Sequence, residues 1–437
     1  MKHLNFYLLL LLSLLAMGCS NDNDDSNSVK SRTVMVYFNA ENNLSSFAAE
    51  DFEELVEGSK DLADNCNLLV FVDAMSNPVI YKVKNGEKEV LKSYETDIDA
   101  SDKDNMLEVF QTMVAACPAD EYATVFWGHG DGPIISKSPH LSTNENEPTS
   151  YGADHNSNKS YDFEDETWID IPELASVMKQ LPKQEFILFE ACCMQNIEVA
   201  YELRHSTKYI IGATSETPSF GAPYQTTTKI FGYSDVESAC KMIVDDYQGN
   251  NNQWEEWRRR YKINNVCMSV IKTAEMESLL TATKEALNTI SGGKPLEVST
   301  TFPADSHEAT SCIYYYKTDG EIKGYPILYD MNDVMLHNLS AADYKNWKDV
   351  FDKVVIYRPN TGDIRDTGNC DWFGGDTYDT FIITTKNFRS FYLSDETFGG
   401  VSMFFPKSEY KPQYTNMNTR MYDYEWCREV GWKDLGW

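Results

Sequence analysis

Five short segments that are apolar from end to end restrict this chain to few folds. Residues 33–38, 68–72, 122–127, 186–189 and 209–213 are rich in β-branched and aromatic side chains and read as strands. Between them, residues 45–57, 103–115, 171–179 and 194–204 carry helical patterns; in the last, Met194, Ile197 and Tyr201 form one apolar stripe. Strands that lack polar alternation must be covered on both faces, and strands that alternate with helices pair in parallel. The expected fold is therefore α/β, a mostly parallel sheet with helices on both faces. Chemistry in such sheets gathers at the carboxyl ends of the strands.

Two of those ends carry reactive side chains. One run leads into Gly128-His129-Gly130-Asp131-Gly132, where glycines let the backbone turn tightly and let a substrate come close. Another leads into Glu190-Ala191-Cys192-Cys193-Met194, with the helical pattern directly behind it. Cys192 is thus expected at a helix amino end, whose partial positive charge favours a thiolate. A nearby imidazole activates such a thiol as base or as ion-pair partner. Singly, a cysteine after a strand is usually just buried, and a histidine between glycines is usually a turn residue. The two together, each closing an apolar strand, point to nucleophilic catalysis. Neighbours at a strand tip face opposite sides, so only one of Cys192 and Cys193 can face His129.

An apolar strand ending in His-Gly and a second ending in Ala-Cys resemble the arrangement shared by caspases, legumains, gingipains and clostripain. The finer resemblance is to the clostripain family. Arg32-Thr33-Val34-Met35-Val36-Tyr37-Phe38, followed by the Asn-rich turn through Asn42 and Asn43, is similar to its opening strand. Phe189-Glu190-Ala191-Cys192, Ser215-Glu216-Thr217-Pro218 and Ser402-Met403-Phe404-Phe405-Pro406 resemble later strands of that family. The resemblance implies a caspase-like fold and a cysteine endopeptidase that cleaves after Arg or Lys through a thioester. It implies Cys192 as nucleophile, His129 as base, and Gly130 with the Cys192 amide as oxyanion donors. It implies no third catalytic side chain, because a backbone carbonyl can orient the imidazole.

The chain departs from the family at two positions: Glu190 stands where Asp is common, and Cys193 where an aliphatic residue is usual. Glu190 and Glu216 are the expected carboxylates of the specificity pocket, with a reach that differs from aspartate by about one methylene. Family members often cut themselves between base and nucleophile. Here residues 140–165 form a polar segment, and Lys159, then Lys137, are the expected cut sites. The chemistry needs no cofactor. Calcium dependence recurs in the family, and Asp162, Glu164, Asp165 and Glu166 offer hard oxygen ligands, though without a defined coordination loop.

The start of the chain reads as an address. An apolar run over residues 8–17 is short for a membrane span and ends in Leu15-Ala16-Met17-Gly18-Cys19, which resembles a lipobox. Residues 1–18 are expected to be a lipoprotein signal peptide, Cys19 the acylated residue, and 19–30 a flexible acidic tether. Export to the outer membrane or surface of a Gram-negative bacterium follows from that reading. Residues 31–230 are the expected catalytic domain, and 231–437 a more helical region with a late strand at 401–405. A net charge of -30 argues against nucleic acid, which needs clustered Lys and Arg. The cysteines show no CxxC pair and no zinc-ligand spacing, so buried thiols are expected. The expected partners are protein or peptide substrates and a membrane through the lipid, with the protein a monomer. The alternative is a catalytically silent surface lipoprotein of the same fold that binds peptides.

Overall fold

The computed structural model describes residues 30–74, 76–134, 150–154, 167–215, 217–249, 265–290, 314–317, 326–359, 372–373, 396–404 and 420–432. Residues 31–437 form one compact unit. Its centre is a sheet of nine strands, in the spatial order 355–357, 268–272, 207–213, 184–190, 121–127, 32–39, 66–73, 79–84 and 87–93. The parallel core is β1 (Arg32–Asn39), β2 (Cys66–Asp73), β5 (Glu121–Trp127), β8 (Gln184–Glu190) and β9 (Thr207–Ala213). Each of the five apolar runs lies in one of these strands.

Period-two geometry explains why the runs are apolar throughout. In β1, Met35 and Tyr37 point into one core with Phe126, Ile187 and Phe189. Val34, Val36 and Phe38 point into a second core with Val125, Phe186 and Leu188 on the opposite face. The first face is covered by α2 (Lys103–Ala116), α3 (Ile171–Met178) and α4 (Ile197–Leu203). The second is covered by α1 (Ser45–Gly58), α5 (Tyr224–Ile230) and α6 (Val236–Gly249). The helix amino ends are set by side-chain caps: Asp102 on α2, Asp170 on α3 and Asn196 on α4.

Antiparallel strands close both sides of the parallel core. The hairpin β3 (Val79–Lys84) and β4 (Glu87–Ser93) pairs with β2. On the other side β11 (Met268–Lys272) pairs with β9, and β14 (Val355–Tyr357) with β11. The sheet therefore runs across the boundary expected near residue 230. The later region also holds the helices α7 (Met276–Ile290), α8 (Met331–Asn338), α9 (Ala341–Val354) and α10 (Glu425–Val430). Its late strand β16 (Ser402–Phe404) pairs with β13 (Pro326–Asp330) in a separate small sheet. The polar segment 140–165 is not structureless throughout: β6 (Tyr151–Asp154) is a buried strand that pairs with β7 (Thr167–Ile169).

Candidate active site

His129 and Cys192 follow β5 and β8, which are hydrogen-bonded neighbours running in parallel, so both side chains issue from one end of the sheet. The two tips are also joined directly, because the Gly128 N–H donates to the Glu190 carbonyl at 3.2 Å. His129 is half-buried, and its Nε2 meets Oδ1 of Asn43 at 2.7 Å. An amide oxygen at that distance keeps the ring proton on Nε2 and leaves Nδ1 as the basic nitrogen. The ring thus has a side-chain partner at Asn43. Asn43 lies in the turn after β1, and only its place in an Asn-rich stretch marked it in the sequence.

Gly130 packs against the nucleophile turn. A Cβ at this position would lie 2.8 Å from the Cys192 carbonyl oxygen and 3.0 Å from the Ala191 Cβ, so only glycine fits. Gly130 bridges to Tyr151 of β6. That bridge is held by Gly152 N–H to the His129 carbonyl and Asp131 N–H to the Ser150 carbonyl, both 3.0 Å. The Gly130 N–H takes no part in it.

The turn carrying Cys192 is fixed from three directions. Cys193 adopts φ 61°, a left-handed conformation that a cysteine rarely takes, and its N–H donates to the Ser215 carbonyl at 2.9 Å. Gln195 N–H reaches the Ala213 carbonyl at the tip of β9, and Asn196 caps α4 through the amides of Glu198 and Val199. Ser402 of β16 donates its N–H to the Gln195 carbonyl and receives Asn196 Nδ2 on its hydroxyl. The late strand thus braces the nucleophile turn. The helix itself begins at Ile197, five residues after Cys192, so its dipole is not what acts on the sulfur. A backbone donor does: the Thr217 N–H points at Cys192 Sγ from 3.3 Å. Among the described residues Cys66, Cys117, Cys193, Cys240, Cys267 and Cys427 are buried, and Cys192 is partly exposed.

Glu190 is buried beneath this turn. Its Oε2 accepts the Ala222 N–H at 2.6 Å, whereas its Oε1 has no donor, and burial pushes its carboxyl up to about 8. Asp51 of α1 faces it across Gly221: a Cβ on that glycine, which has φ +60°, would lie 3.0 Å from Asp51 Cγ and 3.2 Å from Glu190 Oε2. Asp51 accepts the Trp127 indole N–H at 2.7 Å, and burial followed by the charge of Glu190 raises its carboxyl well above the ordinary range. Asp51 was missed in the sequence because it lies in a helix remote from both catalytic tips, and nothing in its local pattern marks it. Glu216, Lys137, Lys159, Cys19, Asp162, Glu164, Asp165 and Glu166 lie outside the described residues.

Both the sequence and the fold have relatives among known proteins. The family model described as the clostripain family of C11 peptidases matches residues 36–437. The chain is similar to a secreted C11 cysteine protease from Bacteroides thetaiotaomicron, solved in complex with an irreversible peptide inhibitor. That similarity is 27% identity with a TM-score of 0.67, over 92% of this chain and 99% of the other. An inactive zymogen C11 protease from Parabacteroides distasonis shares the fold at 22% identity and a TM-score of 0.64, over 92% of this chain and 99% of the other. Clostripain of Hathewaya histolytica is 26% identical over 196 residues, 39% of this chain, and the match spans only 36% of that protein's length. With the family model covering nearly the whole chain, and the central sheet and its tips arranged as described, the chain belongs to the clostripain family.

Proposed function

We propose that the chain is a cysteine endopeptidase in which Cys192 is the nucleophile and His129 the base. The thiol proton passes to Nδ1 of His129, and the sulfur attacks the scissile carbonyl carbon. The oxyanion that forms receives the Gly130 N–H and the Cys192 N–H. As the intermediate collapses, His129 returns the proton to the leaving amine and a thioester remains. Water, deprotonated by His129, then releases the acid and regenerates the thiol. The observation that carries this reading is a partly exposed Cys192 with a backbone N–H on its sulfur, beside a histidine held by Asn43 on the adjacent strand tip.

The test is covalent labelling by a peptide that carries an electrophile at its carboxyl end. Cys192→Ala should abolish labelling and turnover, and Cys193→Ala should retain most of both. Equal losses in the two variants would overturn the assignment, and a wild type that neither labels nor cleaves would favour a silent peptide binder.

Cleavage after Arg or Lys is part of the same proposal. Glu190 Oε1 is a buried acceptor without a donor, and Asp51 adds a second carboxyl across Gly221. A cationic side chain supplies both the N–H and the charge that this pair lacks. Glu216 remains a proposed member of the pocket. Self-cleavage at Lys159, or at Lys137, is proposed because both lie in the chain between base and nucleophile, and a covalently joined substrate has a high effective concentration. Purified wild type should then run as two associated fragments, and Cys192→Ala as one. Acylation of Cys19 is proposed from the lipobox resemblance, and labelled palmitate should enter wild type but not Cys19→Ala.

A further inference from the structure

Beside the catalytic tips stands a large side chain that the proposed mechanism does not use. Trp168 lies in β7, is half-buried, and brings its indole to 6.2 Å from the His129 imidazole, centroid to centroid, with the ring planes 40° apart. Its neighbour Ile169 is fully buried in the core that α3 covers. Successive strand residues face opposite sides, so Trp168 is turned away from that core, toward solvent and the imidazole.

The hairpin that carries Trp168 is tied to the catalytic tips through several bonds. The His129 carbonyl accepts the Gly152 N–H and the Ser150 carbonyl accepts the Asp131 N–H, both at 3.0 Å. The Tyr151 hydroxyl donates to the Trp127 carbonyl at 3.1 Å, and Asn42 Nδ2 donates to the Ala153 carbonyl at 2.7 Å. β7 joins this frame by pairing with β6, Tyr151 opposite Ile169 and Asp154 opposite Thr167. A half-exposed indole on so fixed a frame gives up little freedom when a ligand covers it. Its place relative to Glu190 is also set. Period two puts Glu190 on the same face of β8 as Phe186 and Leu188, which α1 covers. Trp168 approaches His129 from the side of α3, and the Glu190 carboxyl lies on the side of α1.

We propose that Trp168 is one wall of a subsite for an apolar, above all aromatic, side chain on the residue that follows the scissile bond. This rests on the peptidase reading, in which His129 returns its proton to the leaving amine. The residue that owns that amine passes beside the imidazole, and the indole at 6.2 Å is within reach of its side chain. Indole offers a flat apolar face without charge, which a phenyl ring or an aliphatic chain covers by stacking and by shedding water. A cation also suits an indole face. Here, however, the imidazole becomes cationic as Cys192 gives up its proton, and a second positive charge beside it opposes that step. The substrate class is therefore a basic residue followed by an apolar one.

The test uses peptides that differ only in the residue after an Arg, which is Phe, Leu, Ala or Asp. On the full chain kcat/KM should fall in that order, with Phe about tenfold above Ala. Trp168→Ala should bring the ratio of Phe to Ala to within about twofold of one, and Trp168→Phe should keep most of it. Equal losses on all the peptides would mean a structural role and overturn the subsite. An acidic limb of the pH profile that moves while the ratio holds would assign Trp168 to the imidazole instead, and also overturn it. The same peptides are titrated by calorimetry into chains carrying Cys192→Ala, with and without Trp168→Ala. A binding preference for Phe that is lost with Trp168, in a protein whose wild type cleaves none of the peptides, would keep the subsite and overturn only the peptidase reading. Cleavage or binding indifferent to the residue after Arg would overturn only the subsite, and the absence of both would overturn the two together.

Discussion

Two groups of buried carboxyls stand at the same end of one sheet, and they are furnished differently. Beneath Cys192, Glu190 receives the Ala222 N–H and Asp51 receives the Trp127 indole, so each carboxyl is already aimed before any partner arrives. Glu190 Oε1 is left as an acceptor without a donor. At the β2 tip neither oxygen of Asp73 has a donor, and its nearest charges are carboxyls. A group held in place by directed donors can select a partner by the direction of its N–H bonds. One held by packing among like charges has no such direction to offer and favours its protonated form. The first environment suits the end of a cationic side chain, and the second keeps its carboxyl protonated at neutral pH.

The largest expected effect separates the two groups by selectivity. Glu190→Gln should lower kcat/KM on Arg and Lys substrates by about tenfold or more, since a charge-assisted hydrogen bond is worth about 1.5–3 kcal/mol. Asp51→Asn should act in the same direction more weakly, because it faces the pocket from across Gly221. Neither should change the slow turnover of Leu substrates in proportion. Asp73→Asn should leave the ratio of Arg to Leu turnover unaltered. A selectivity change at Asp73 as large as that at Glu190 would show that the two groups are one pocket.

A second test uses stability against pH. Glu190 rises from an ordinary value of 4.5 to about 8 in the folded chain, so folding favours its protonated form. Its contribution is therefore most favourable below about pH 4.5, and stability is lost as the pH climbs through about 8. The wild type should lose on the order of 1.4 kcal/mol for each tenfold fall in proton concentration across that window. Glu190→Gln should flatten the decline and leave the variant more stable than wild type at pH 8. Chemical unfolding at pH 5 and pH 8 measures the difference. Asp51, Asp73 and Glu198 are raised as well and leave a residual decline, so it is an equal slope in wild type and Glu190→Gln that would mean that the Glu190 carboxyl ionises at an ordinary pH. Basic substrates should bind better over the same window, because their charge offsets the ionised pair.

Much of this arrangement was legible in the sequence for a simple reason. Strands buried on both faces must be apolar at every position, so the five core strands declare themselves, and the residues just after them declare the tips. The helix boundaries were less visible: Met194 continues the apolar stripe of α4, yet the chain first makes a turn through Cys193 whose φ no sequence pattern announces. The hairpin of β3 and β4 was hidden because its outer strand is charged and exposed, as an edge strand often is. β6 was hidden because a strand of four residues sits inside a polar segment. Asp51 and Asp73 could not be found at all, since what distinguishes them is a neighbour brought from a distant part of the chain. Glu190 could be found, because its neighbour Cys192 is two residues away.

The smallest expected effect tests the residue that stands between the two groups. Asn43 belongs to the turn that also holds Glu41, and its Oδ1 meets the His129 imidazole at 2.7 Å. It touches no substrate in the proposed mechanism; it keeps the ring proton on Nε2 so that Nδ1 can accept from Cys192. Asn43→Ala should therefore lower kcat by several-fold to about tenfold while KM for Arg substrates changes little, because the proposed pocket of Glu190 and Asp51 is untouched. Asn43→Asp is the sharper variant. A carboxylate in the same place also accepts from Nε2, so it should restore kcat, and it should move the acidic limb of the pH profile upward because its charge favours the imidazolium. A purely structural role would give equal losses in Ala and Asp and no movement of that limb.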